Sequence, residues 1–139
     1  MQKIILDTNV LVSSLIQRSY PYLILNEIFT KNEIVLCVSS ALMFEYYAVL
    51  RRKKFAKYPE FIIKAEALLI DIERKATFHH PKITLQVIND LADNRLLELA
   101  VESRADFLIT GNTNDFTFYN YEGTRIISPK DYYENCGLF

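Results

Sequence analysis

Short apolar runs alternate with amphipathic helical patterns along this chain, and that alternation restricts the fold more than any other feature. Lys3-Ile4-Ile5-Leu6, Ile34 to Val38, Phe107-Leu108-Ile109 and Arg125-Ile126-Ile127 are too short for helices and read as buried strands. Ala76-Thr77-Phe78 is a weaker fifth strand, stopped by Pro81. Between these runs the apolar residues take helical spacing. Val10 to Ile16 starts a short helix and Tyr22 to Phe29 carries a second. Leu42, Met43, Tyr46, Val49 and Leu50 form one apolar face, as do Phe61, Ile62, Ala65, Leu68, Leu69 and Ile72. The cations Arg51 to Lys54 end the first of these two helices, and Pro59 and Glu60 fit the first turn of the second. A further helix runs from Asn94 to about Arg104, with Leu96, Leu97, Ala100 and Val101 inward. Its cap is Asp93, or Asp90 three residues earlier, which would leave Asp93 free. Ser128-Pro129 opens a short C-terminal helix.

Strands that alternate with helices imply an α/β three-layer sandwich, with a central parallel sheet of four to five short strands flanked by helices. The 139 residues amount to one domain, 1–139, and a hydrophobic half is enough for a substantial core. Three glycines and four prolines leave little room for long linkers. The apolar runs are far too short to span a bilayer, and no basic segment followed by an apolar one opens the chain. No membrane association is expected. Cys37 and Cys136 are far apart with no metal-ligand spacing, which fits a reducing cytoplasm. A net charge of −1 excludes a protein that holds nucleic acid by bulk charge alone. Any such contact must be local or must use a metal.

Four acids stand where a core would prefer an apolar residue or a cap. Asp7 ends the first strand, Glu45 borders an apolar helical stripe, Asp93 opens a helix and Asp115 follows the Phe107–Ile109 run. In a parallel sheet the cleft lies beyond the carboxyl ends of the strands, where Asp7 and the Thr110–Asp115 turn fall. Four carboxylates converging there would repel one another unless a divalent cation neutralised them, and oxygen-only ligands suit Mg²⁺ or Mn²⁺. Other uses of an Asp after a first strand fit less well. A response-regulator receiver wants a lysine after a late strand, and none follows Ile109 or Ile127 directly. A dehalogenase-like phosphatase wants a second Asp two residues on, and that position is Asn9.

Four blocks in order resemble the PIN-domain family across essentially the whole chain. Ile4-Ile5-Leu6-Asp7-Thr8-Asn9-Val10-Leu11-Val12-Ser13 is similar to its first strand and first metal-binding Asp. Val38-Ser39-Ser40-Ala41-Leu42-Met43-Phe44-Glu45-Tyr46 resembles the helix bearing its Glu. Asp90 to Ala100 resembles the segment of its third acid, Asp93, and Ala105 to Phe116 the strand and turn near its fourth. Leu91 stands where members often carry Pro, and Asn112 where many carry Asp, so Asn112 and Asp115 are alternatives for the fourth ligand.

The resemblance implies metal-dependent RNA cleavage, and for short single-domain members often a VapC-type toxin with an antitoxin partner. Asp7, Glu45 and Asp93 would hold Mg²⁺ or Mn²⁺. The ion activates water for in-line attack and neutralises charge on the phosphate, and loss of the 3′-oxygen leaves a 5′-phosphate. Thr8, Ser39 and Thr110 are candidates for orienting the carboxylates. Arg51, Arg52, Lys53 and Lys54, with Tyr47, Phe55 and Tyr58 nearby, are candidates for RNA contacts. Phe118, Tyr119, Tyr121, Tyr132 and Tyr133 form a possible exposed aromatic surface for a homodimer or antitoxin. The alternative reading is an inactive PIN-like binding or scaffold module. A 5′-nuclease for structured DNA is disfavoured, since the chain has no room for an arch or clamp.

Overall fold

A computed structural model describes residues 1–137. Its elements follow the alternation of the sequence: β1 (Gln2–Leu6), α1 (Thr8–Ile16), α2 (Tyr20–Thr30), β2 (Ile34–Val38), α3 (Ser40–Leu50), α4 (Phe61–Lys75) and β3 (Thr77–Phe78). After a long loop come α5 (Leu91–Ser103), β4 (Phe107–Ile109), β5 (Asn120–Tyr121), β6 (Thr124–Ile127) and α6 (Pro129–Asp131). The sheet order is β3-β2-β1-β4-β6-β5. Every pairing is parallel except the β5–β6 hairpin. The sheet therefore has six strands where the sequence suggested four to five; the weak fifth strand is β3, and the addition is β5, a two-residue edge strand that carries no readable periodicity.

The steps β1 to β2 and β2 to β3 move one way across the sheet, and β3 to β4 moves back. Right-handed crossovers then carry α1–α4 over one face and α5 over the other. Both faces are covered, so Ile4, Ile5, Leu6, Leu36, Cys37, Val38, Leu108 and Ile109 are all fully buried, and the strands read as unbroken apolar runs rather than alternating ones.

Several local expectations change. Glu60 is in the left-handed region (φ 60°) and precedes α4, so Pro59 and Glu60 lie outside that helix. Of the basic run, Arg51 caps α3 and Lys53 starts a separate 3₁₀ turn, Lys53–Lys57. Asp90, not Asp93, caps α5: its carboxylate accepts from the Asp93 N–H. Tyr132 is fully buried rather than exposed, packed edge-on against Phe107 with ring centroids 5.3 Å apart. Of the five aromatics from Phe118 to Tyr133, only Tyr119 is largely exposed, at 83%. No helix among the described residues is long and apolar enough to cross a membrane.

Candidate active site

The site is built on the carboxyl ends of β1 and β4, which the register places side by side, Leu6 opposite Ile109. The chain leaves β1 at Asp7, whose N–H still donates to the Ile109 carbonyl at 2.9 Å. Asp7 then caps α1: its Oδ1 accepts from the Thr8 N–H at 2.7 Å. Its Oδ2 accepts from Thr110 Oγ1 at 2.9 Å and from Asn9 Nδ2 at 3.3 Å. A cap explains part of this bonding, but Thr110, 103 residues on and just past the end of β4, fixes the carboxylate's orientation from the other side. The Asn9 amide oxygen in turn accepts from the Gly111 N–H at 3.0 Å. A Cβ on Gly111 would stand 3.2 Å from that oxygen, so any larger residue there would push the Asn9 side chain back by a few tenths of an ångström.

Glu45 reaches the same region from α3. Its Oε2 accepts from Thr8 Oγ1 at 2.5 Å. The next residue, Tyr46, is fully buried and donates its hydroxyl to the Leu6 carbonyl at 2.5 Å. Two successive side chains thus tie α3 to the end of β1, and that tie sets where Glu45 sits. Ser39 caps α3 by accepting from the Leu42 N–H at 3.2 Å, and among the described residues no bond links it to a carboxylate.

Asp93 lies in the first turn of α5, 9% exposed. Burial, and then the charges of Asp90, Asp7, Asp115 and Glu45, push its carboxyl up to about 7. Asp7 is raised as well, by burial first; its hydrogen bonds from Thr110 and Thr8 oppose the shift, and Glu45 and Asp115 add to it. Asp115 is exposed at the end of a 3₁₀ turn, Thr113–Asp115, and Asn112, also exposed, precedes that turn. The four acids singled out in the sequence therefore share one electrostatic neighbourhood. Asn112 is held near it through its N–H, which donates to Thr110 Oγ1 at 3.1 Å.

No cation offsets this charge from within the described residues: the ion pairs there are Lys31–Glu27, Arg51–Glu66 and Arg95–Glu98. Nor, among the described residues, are three His, Cys, Asp or Glu side chains already grouped to hold an ion. The donors fit a hard divalent cation through their chemistry. They are oxygens only, Asp93 is buried while Asp7 and Glu45 are half-buried, and burial, then the neighbouring carboxylates, push Asp93 up to about 7. Asp7, Glu45 and Asp93 could hold such an ion, with Asp115 or the Asn112 amide oxygen completing the set.

The basic run begins at the C-terminal cap of α3 and continues beyond it. Arg51 is six residues past Glu45, about 9 Å along the helix, and its guanidinium pairs with Glu66 at 2.9 Å and covers the Tyr47 ring at 4.6 Å. Arg52, Lys53 and Lys54 are exposed beyond it. His79 and His80 follow β3, and the charges that His79 feels are those of Lys3, Glu102 and His80, not the acidic cluster.

The structure adds residues that were not singled out. Asn94 and Glu98 are buried on α5 and bind the preceding loop. Asn94 Oδ1 accepts from the Val87 and Ile88 N–H groups, both at 3.1 Å, and Glu98 Oε2 accepts from the Leu85 N–H at 2.8 Å. Their sequence signal is polar residues, four apart, bordering an otherwise apolar helical stripe. Asp90, already a candidate cap in the sequence, is the cap that this loop delivers.

A three-layer α/β domain with carboxylates drawn together beyond the carboxyl ends of its central strands, Asp93 buried and Asp7 half-buried, defines the class. The family model described as PIN domain matches residues 3–114, and the chain belongs to that family. No curated protein matches the chain. Among solved structures, the chain is similar to a chain in the crystal structure of VapBC2 from Rickettsia felis bound to a DNA fragment from their promoter. The TM-score is 0.59 at 16% identity, over 91% of this chain and 98% of that one. At that identity the likeness is one of fold.

Proposed function

We propose that this protein is a metal-dependent endoribonuclease and the toxin component of a toxin–antitoxin pair. The observation that carries the reading is the cluster of Asp7, Glu45, Asp93 and Asp115 at the carboxyl ends of β1 and β4, buried or mutually repelling and without a counter-ion among the described residues. Membership of the PIN domain family supports nuclease chemistry at that place. The fold shared with a chain of a VapBC2 complex bound to promoter DNA supports an antitoxin partner. A homodimer belongs to the same proposal.

In this reading Asp7, Glu45 and Asp93 hold Mg²⁺ or Mn²⁺, and Asp115 or Asn112 serves as the fourth ligand. The ion, when bound, activates water and neutralises charge on the scissile phosphate. Thr110 and Thr8 keep the Asp7 and Glu45 oxygens aimed, so the carboxylates need not reorganise as substrate arrives. Asp93 must lose its proton to serve as a ligand, which makes binding of the ion proton-linked.

Calorimetric titration with Mn²⁺ tests the reading, run beside cleavage of single-stranded RNA. The wild type is expected to bind saturably and to cleave. The Asp7→Asn, Asp93→Asn double variant is expected to lose both, with cleavage falling by at least about 100-fold. Undiminished cleavage by the variant would overturn the metal site. Binding of RNA without cleavage by the wild type would move the binding-module reading to first place.

A further inference from the structure

A cavity of about 380 Å³ opens beside the acidic cluster, between α3 and the first turn of α5. Ala41, Leu91 and Ala92 give it apolar walls, and Glu45, Asp90 and Arg95 give it charged groups. Glu45 belongs to both the cavity and the cluster, so an occupant would lie next to the proposed reaction centre.

The charged groups of this cavity have unused bonding capacity. Arg95 Nη2 spends one N–H on Glu98 Oε2 at 2.6 Å and Nε is buried out of an occupant's reach, which leaves the second N–H of Nη2 and Nη1, which has no hydrogen bond among the described residues. Glu45 spends one oxygen on Thr8 and Asp90 spends one on the Asp93 N–H; the second oxygen of each has no hydrogen bond among the described residues. A guanidinium donor and two carboxylate acceptors therefore flank apolar walls.

That combination selects among ligands. A phosphate would face two carboxylates and be repelled. An alkyl group would leave the charged groups unanswered. A nucleobase answers all of them, with flat faces for the walls, ring acceptors for the guanidinium and ring N–H donors for a carboxylate. Guanine fits best: O6 and N7 are adjacent acceptors for an arginine, and its N1–H and exocyclic amine lie on the other side of O6. Adenine sets a donor beside N7, where the guanidinium would meet it.

We propose that this cavity is a guanine subsite for the RNA strand, with Arg95 donating to O6 and N7 and Asp90 or Glu45 accepting from N1–H and the amine. The strand, though not the cavity's base selectivity, rests on the ribonuclease reading. Titrating the full chain with GMP, AMP, CMP and UMP, followed by NMR, tests the subsite without cleavage. GMP is expected to bind about tenfold more tightly than AMP. Arg95→Met is expected to abolish that preference. Ala41→Phe fills the cavity from an exposed position on the opposite helix and leaves the Arg95–Glu98 pair alone; it is expected to lower GMP affinity about tenfold. Equal binding of the four nucleotides, or GMP affinity unchanged in both variants, overturns the subsite. A parallel assay uses single-stranded RNAs that differ by one guanosine. Guanine-selective binding with no cleavage upholds the cavity's selectivity and removes the ribonuclease reading. Cleavage with no base preference and no effect of Arg95→Met does the reverse.

Discussion

Two influences act against each other on Asp93. It stands in the first turn of α5, where the positive end of the helix favours a carboxylate. Burial and the surrounding carboxylates outweigh the helix and push its carboxyl up to about 7. The folded state therefore holds a proton that the unfolded chain, with an ordinary value near 3.8, gives up. The stability linked to that proton is complete below about pH 4 and is lost as the pH rises through about 7. Asp93→Asn removes the linkage. Thermal melts of the metal-free protein should show the wild type losing on the order of 1–2 kcal/mol relative to the variant between about pH 5 and about pH 8, water at the cleft edge screening the rest. Parallel pH profiles would show that Asp93 is not buried as described. The sequence marks each acid as a position, but alone each could be a cap or a solvated carboxylate. Asp7 is in fact a cap as well, and Asp90 takes the cap that Asp93 would otherwise have filled.

At the scale of elements, β2 and β4 coincide with their apolar runs, because strands buried on both faces are apolar throughout and stop where the chain turns polar. The β5 strand and the left-handed start of α4 carry no such signature. One comes from pairing with a neighbour and the other from a single backbone torsion at Glu60. The loop before α5 is the clearest case. Its sequence from Lys82 to Leu91 has no dominant pattern, and its shape is imposed by Asn94 and Glu98. Asn94 also donates to the Ile88 and Asp90 carbonyls, at 2.6 and 3.1 Å. Asn94→Ala should leave two backbone N–H groups without an acceptor and cost about 2–3 kcal/mol in urea unfolding. Amide exchange at Val87 and Ile88 should accelerate while β1 and β4 stay protected. Unchanged exchange there would mean that the loop holds its shape without the asparagine.

Across the whole molecule, the site stores repulsion that a cation would relieve. A ligand that binds only the folded state stabilises by mass action, about 2.7 kcal/mol at a hundredfold excess over its Kd. Protons compete for the same oxygens. Saturating Mn²⁺ should therefore raise the melting temperature more at about pH 8 than at about pH 5. The Asp7→Asn, Asp93→Asn variant should show neither increase. A rise of equal size at both pH values would separate the stabilisation from the acidic cluster.

By itself, the sequence determined the α/β alternation, the parallel sheet, the family and the four acidic positions, three of them at or near element ends. Each depends on local pattern and order, which the chain carries wherever it lies. Only the tertiary structure decided which carboxylates feel one another, because Asp7 and Asp115 meet across 108 residues through the adjacency of β1 and β4. It also decided that Arg51 is paired with Glu66 while Arg95, an ordinary helical cation in the sequence, lines a cavity beside Glu45. Charge and burial act through space, and distance through space is what packing alone sets.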